Sequence, residues 1–394
     1  MSQIADKKHY DLLDGLRGIA AVLVVISHLF ESYSFGPPQA FQPVGHSHLA
    51  VVFFFALSGF VLAYAYDDRW ARGLGYMDFF KRRLIRLYPL VFLGTLLGLV
   101  IYLFGGTWAY PQFAGVGPWS MAMLVGFALL LIPCPQITKL IGINPFNGPN
   151  WSLAYEYLAN ILYAFFFRRL GRKALVTAVV VSAFLGVAVV CKIDLFGLIG
   201  GRRTCTLLGG HSTNLPSLYV GVTQLLFPFF LGMMICRFKL EIRSSHGFLW
   251  SALLLVVAVC CPHDGNGLPF SKQYVSAWNG AFELLSLFVL MPLVMAIGAG
   301  SSIGGPGMTK FFVWLGNISY PLYMTHYPFV QLHHAWVRDH YAQVPVWGHW
   351  AIGVVLLLLF IGFAAIVDRA YDVPVRRILS GRWKQASRKT ISVK

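Results

Sequence analysis

The sequence predicts an all-α polytopic membrane protein, on three observations. Of its 394 residues, 57% are hydrophobic and only 12% charged, with a mean hydropathy of +0.65, whereas a soluble domain carries roughly twice that charged fraction. Apolar stretches close to membrane-spanning length recur along the whole chain. The basic residues fall in alternate connections between those stretches, which is the charge bias that orients membrane helices.

The apolar stretches are 15–34, 48–66, 88–105, 118–133, 151–167, 174–191, 218–236, 248–261, 280–299, 311–331 and 348–367. Between them, Lys and Arg cluster at Lys7 and Lys8, from Arg69 to Arg86, from Arg168 to Lys173, at Arg237, Lys239 and Arg243, at Lys310, and from Arg369 to Lys394. All of these can face the cytoplasm only if one stretch between residues 88 and 167 fails to cross. The weakest is 118–133, short and bounded by Pro118 and Pro133, so it reads as re-entrant, a form tolerated where protein covers the backbone. The expectation is therefore ten transmembrane helices plus one re-entrant or membrane-dipping segment, with both termini cytoplasmic. Only Lys139, Lys192, Arg202, Arg203, Lys272 and Arg338 are left for the outer loops.

The longest polar stretches run to about 25 residues, too short to fold alone. The expected organisation is one transmembrane domain, residues 1–376, and a basic cytoplasmic tail, 377–394. No small-residue cleavage site follows the first apolar stretch, so it reads as retained. The net charge of +16 then reflects orientation and contact with anionic lipid, not a nucleic-acid footprint. The six cysteines form no CxxC or Cys/His metal spacing. They read as small apolar fillers, with Cys191 and Cys205 the pair that topology would allow to bridge.

The first stretch carries the most information. It reads DGLRGIAAVLVVISHLF from Asp14 to Phe30, with Arg17 and His28 inside an otherwise apolar run. Eleven steps of about 100° return to within roughly 20° of the start and climb roughly 16 Å, so both side chains share one helical stripe at different depths. Ionisable groups inside a membrane helix usually line a cavity or pathway. The bland alternative is a snorkelling Arg17 and a His28 bonded to a neighbouring helix.

In the second stretch, FFFALSGF, Ser58 and Gly59 are small residues that let helices approach closely, and packing is the default reading. The first basic connection ends FFKRRLIRLYP, with Arg83 and Arg86 three apart and on one face if helical. Paired guanidiniums suit a phosphate-bearing ligand. An anchor on lipid phosphate is the competing reading, and spacing alone favours it.

The fifth stretch opens NGPNWSLAYE. Asn150 or Ser152 is placed to cap the helix, Trp151 suits an interface, and Glu156 follows about one turn inside. A carboxylate at that depth needs a partner. It either orients His28 as a general base or pairs with an arginine. Further on, LGNISYPLYMTHYP places Tyr320, Tyr323 and His326 at successive i+3 positions. His326 is a candidate lining for an acceptor site, and the tyrosines read as an interfacial girdle. His46, His48, His333, His334 and His340 fall in expected outer loops without metal-ligand spacing, so no metal is expected.

Taken in order, LDGLRGIAAVLVVISH, FFFALSGFVL, RRLIRLYP, NWSLAYE and LGNISYPLYMTHYP resemble the membrane acyltransferase-3 family, the O-antigen and exopolysaccharide O-acetyltransferase type, over nearly the whole chain. One departure is Val52, where the family usually places an acidic residue before the FFxLSGF run. The resemblance implies acyl-CoA, most simply acetyl-CoA, as cytoplasmic donor. It implies a hydroxyl of a polysaccharide, glycolipid or other sugar as acceptor, and a bacterial inner membrane as location. The esterase-like periplasmic domain of some members is not seen, which implies direct delivery to the acceptor.

On that reading Arg17, Arg83, Arg86 and Ser58 receive the donor. His28 acts with Glu156 and Arg17 at the reacting centre, and Asn150, Trp151, Ser152, Tyr323 and His326 receive the acceptor. An extended pantetheine arm, on the order of 15 Å, matches the climb from Arg17 to His28 at ~1.5 Å per residue. The competing class is a transporter or flippase, against which the absence of an inverted repeat and of paired broken helices argues.

Overall fold

The computed structural model describes residues 8–31, 43–135, 142–200, 204–264 and 276–381. These form helices α1 (Asp11–Glu31), α2 (His48–Ala71), α3 (Tyr76–Ala109), α4 (Pro118–Leu130), α5 (Asn150–Phe165), α6 (Arg172–Val190), α7 (Leu215–Phe238) and α8 (Gly247–Cys260). They continue with α9 (Ala277–Gly300), α10 (Pro306–His340) and α11 (Val346–Gly381). No β-strand occurs among the described residues. Seven helices, α1, α2, α3, α6, α7, α9 and α11, are long and apolar enough to cross a membrane. At 13 and 14 residues, α4 and α8 rise only about 20 Å at 1.5 Å per residue, short of a hydrocarbon core of about 30 Å. Along the outer face of α11, Val354, Val355, Leu358, Leu359 and Ile366 are all exposed, an apolar surface suited to lipid.

Several expectations shift. The run FFKRRLIRLYP is not loop but the first turns of α3, which continues through Pro89 to Ala109. Likewise α10 extends 35 residues, well past the apolar stretch at 311–331. His333, His334 and His340 therefore stand on a helix and not in a loop. The expected boundary at 376 falls inside α11, which stays helical to Gly381. The rest of the tail, and Lys139, Arg202, Arg203 and Lys272, lie outside the described residues. All six cysteines are free, Cys191 exposed and Cys205 buried.

Glycines set the tightest crossings. A Cβ on Gly316 of α10 would stand 2.3 Å from the Asp14 carbonyl of α1, and one on Gly18 would stand 2.9 Å from Gly316 N. The DGLRG and LGNIS motifs are thus two sides of one helix crossing. Gly59 of α2 and Gly232 of α7 do the same, with Cβ positions 2.0 Å from the Phe229 carbonyl and 1.9 Å from the Ala56 carbonyl. Backbone contacts this close cannot yield by rotating a side chain. Gly232→Ala should cost about 1–3 kcal/mol from overpacking, read as a lower thermal midpoint in micelles; an unchanged midpoint would mean the helices separate freely.

Candidate active site

Two cavities lie end to end inside the bundle. The first, about 120 Å³, is bordered by Arg17, Arg83, Arg86, Ser58 and Glu156. The second, about 560 Å³, is bordered by His28, Glu31, Trp151, His211, Tyr327 and others. Val51 and Tyr323 border both, so Tyr323 stands where one cavity gives way to the other. Its hydroxyl bonds Ser152 Oγ at 2.7 Å, and both hydroxyls reach the Pro149 carbonyl, at 3.2 and 3.0 Å. The ring is 8% exposed. Tyr320, whose hydroxyl donates to the Leu87 carbonyl at 2.7 Å, also points into the bundle. The tyrosines therefore form no interfacial girdle.

The arginines of the first cavity differ in what they already hold. Arg17 is engaged by Asp14 at 3.1 Å, the Gly316 carbonyl at 2.7 Å and Ser319 Oγ at 3.0 Å, which ties α1 to α10. Arg83 is buried and pairs with Glu156 at 2.8 Å, and its Nε closes no hydrogen bond. Arg86 is exposed, borders the cavity, and makes no hydrogen bond or ion pair among the described residues. The three positive charges face one carboxylate in the cavity lining, so an anionic ligand is favoured there and the free donors are those of Arg83 and Arg86.

Glu156 does not reach His28. Its carboxylate faces Arg83, with Ser58 Oγ at 3.5 Å, because α5 starts beside Tyr323 and turns this residue toward the first cavity. The partner of His28 is His326. His28 Nδ1 and His326 Nε2 are 2.9 Å apart, and the rings are nearly coplanar at 7°. The tautomers follow from the far end. His326 Nδ1 lies 2.9 Å from the Leu322 carbonyl, which only accepts, so Nδ1 carries the proton and Nε2 accepts from His28 Nδ1–H. That leaves a lone pair on His28 Nε2, which has no protein partner among the described residues. His334 Nε2–H donates to the His28 carbonyl at 2.8 Å, and Tyr327 sits edge-on to the His28 ring at 5.1 Å.

Of the remaining expected residues, Trp151 and Ser152 border a cavity, whereas His326 and Asn150 border neither. Ser152 borders the first and Trp151 the second, with its ring 4.5 Å from that of His211; at 7% exposed, Trp151 is interior rather than interfacial. Asn150 does not cap α5 either: the cap position is Pro149, without a side-chain bond, and Ser152 Oγ donates to the Pro149 carbonyl instead. Both side-chain polar atoms of Asn150 are buried without a partner. Val52 is fully buried in the main apolar core, so no charge stands there.

Sequence reasoning missed Glu31 and His211. Glu31 lies three residues after His28, on the same helical face, and that spacing was a usable signal. His211 sits in a glycine-rich loop that offers none. Burial, with His48 nearby, lowers the His211 imidazole to about 4, so it is neutral at physiological pH and both donates and accepts.

The family model described as "Acyltransferase domain", that of the acyltransferase-3 type, matches residues 10–369. The chain belongs to the membrane acyltransferase-3 family. Two curated proteins show the same likeness over shorter stretches. "Protein 2 in picA locus" of Rhizobium radiobacter is 35% identical over 189 residues, covering 46% of this chain and 95% of that protein. "Acyltransferase MdmB" of Streptomyces mycarofaciens is 28% identical over 184 residues, covering 45% of this chain and 44% of that protein. No solved structure matches the chain. Family membership and the apolar helices make this acyltransferase a multi-pass membrane protein.

Proposed function

We propose that this acyltransferase moves an acyl group, most simply acetyl, from cytoplasmic acyl-CoA to a sugar hydroxyl, with His28 as general base. The observation that carries this reading is the meeting of the two cavities at Tyr323, arginines on one side and the His28 lone pair on the other. A cavity of about 120 Å³ admits a thin chain, not a nucleotide. The donor's phosphates therefore stay at the mouth with Arg86 and Arg83, and its pantetheine arm threads past Tyr323 to bring the thioester to His28.

The acceptor hydroxyl comes from the larger cavity. His28 Nε2 takes its proton as the oxygen attacks the thioester carbonyl. His28 Nδ1–H stays bonded to His326 Nε2, which stabilises the imidazolium. The carbon–sulfur bond breaks, and the imidazolium returns the proton to the departing thiolate. Glu31, Gln112, Gln331 and His211 with the Trp151 and Tyr327 rings offer the mix of hydrogen-bonding groups and aromatic faces that suits a glycan. Delivery from cytoplasmic CoA places the basic mouth inside, with both termini cytoplasmic in a bacterial inner membrane. It also calls for ten crossings, the short α8 among them, and a re-entrant α4, which ends at Leu131 in the left-handed region (φ 54).

Purified protein supplied with acetyl-CoA and a glycan acceptor should release free thiol. A flippase would move glycan across vesicles with no thiol released, and that result would reject the enzyme reading. Arg86→Gln should raise KM for the donor by roughly 10- to 100-fold, the worth of a charge-assisted hydrogen bond, with kcat little changed. An unchanged KM would place the donor phosphates elsewhere.

A further inference from the structure

A second polar cluster forms where the loop before α2 meets α9 and the segment after residue 204. Gly45 lets that loop lie against the end of α8, since a Cβ there would stand 2.3 Å from the Cys261 carbonyl. His46 and His48 follow it, and their rings face Glu283 in the second turn of α9. His48 Nε2 is 3.1 Å and His46 Nδ1 3.8 Å from Glu283 Oε1, and the three side chains are 4%, 1% and 0% exposed. Groups buried this deeply must find partners within the protein or in a bound species.

The carboxylate has them. Thr206 Oγ1 donates to Oε1 at 2.5 Å and the Leu207 N–H to Oε2 at 2.7 Å. The imidazoles do not, since His46 Nδ1, His46 Nε2 and His48 Nε2 close no hydrogen bond. An ion pair between a protonated His48 and Glu283 would still leave His46 with no hydrogen bond at either nitrogen, its Nδ1 only 3.8 Å from the same carboxylate oxygen. One bound cation accounts for both rings.

Two imidazole nitrogens and a carboxylate oxygen, all within 4.8 Å of one another, match the donor set and spacing of a divalent first-row cation, zinc foremost. The surroundings agree with that. Thr206 and Leu207 hold the carboxylate from behind, as outer partners of metal ligands do. The His263 ring stacks on His46 at 4.3 Å and fixes its plane. The helix of Glu283 widens into a π turn at Ser286–Leu290, a distortion frequent at functional sites. His48 and Thr206 also border the larger cavity, from which water can supply a fourth ligand.

We propose that His46, His48 and Glu283 bind a divalent cation of the zinc type, which clamps the loop, α2 and α9 together beside the larger cavity. The test uses full-length, untagged protein in micelles, stripped with EDTA and titrated with zinc chloride alone. The expected result is one tightly held zinc per chain, a thermal midpoint that rises with zinc and falls on chelation, and the visible bands of a tetrahedral site when cobalt replaces zinc. Glu283→Gln and His48→Ala should lose that stoichiometric zinc, and Thr206→Val should weaken it by roughly 10- to 100-fold. Chelation and refilling of the unaltered protein stand as evidence even if a variant misfolds. Unaltered protein that takes up no zinc, or Glu283→Gln protein that holds it equally well, would overturn the proposal and assign any ion to surface histidines.

Discussion

Replacing His28 with alanine should lower acyl transfer about 10²- to 10⁴-fold, the usual contribution of a positioned general base. The loss should fall on kcat, because the proposed donor-phosphate site at Arg83 and Arg86 borders the other cavity, beyond Tyr323 from the His28 ring. The protein should still insert and keep its thermal midpoint, since His28 borders a cavity and its removal collapses no packed core. The partner ring gives a sharper version of the experiment. His326 acts through His28, holding its Nδ1–H so that Nε2 keeps the lone pair. His326→Gln retains an oxygen to accept that proton, whereas His326→Leu leaves it unpaired. Activity should be largely kept in the first and strongly reduced in the second. Equal losses would mean that His326 only fills space, and full activity of His28→Ala would remove the base from the mechanism.

The second large effect concerns Arg83 and Glu156. Removing one member of a buried ion pair leaves an uncompensated charge and commonly costs 3–5 kcal/mol. Glu156 is 25% exposed, to the cavity, and Arg83 only 6%, so water relieves part of the cost and Glu156→Ala should sit near the low end, about 3 kcal/mol. The double variant Arg83→Met, Glu156→Leu removes both charges and should recover most of that stability. It should not recover donor binding, because the Arg83 guanidinium is gone. Thermal unfolding and donor affinity, measured on the two single variants and the double variant, separate the structural role from the binding role. A double variant with normal donor affinity would show that Arg83 serves only the fold.

What could be read from the sequence was whatever one helix decides alone. The apolar stretches located α1 to α11, and the spacing of Arg17 and His28 put both on the stripe that faces the bundle interior, one beside each cavity. Arg83 and Arg86 do share a helical face. What stayed open depends on partners distant in the chain. His28 meets His326 across 298 residues and Arg83 meets Glu156 across 73, and no local periodicity encodes either pairing. The same limit hid His46, His48 and Glu283, whose first two members are adjacent in pattern while the third lies on α9. The extent of α10 was underestimated because its last turns mix polar and apolar residues that pack inside the protein: His333 is 6% exposed and Val337 3%. The tyrosines were misplaced for the same reason, since an aromatic at a given depth looks alike in sequence whether it faces lipid or another helix.

The central claim is that one passage runs from Arg86 past Tyr323 to His28. It is tested most directly by an electron cryomicroscopy map of the protein with a non-hydrolysable acetyl-CoA analogue. The account predicts phosphate density at Arg83 and Arg86, the arm beside a displaced Tyr323 hydroxyl, and the acyl carbonyl within hydrogen-bond reach of the acceptor space at His28 Nε2. An analogue bound with Tyr323 still joined to Ser152 and no density reaching His28 would contradict it.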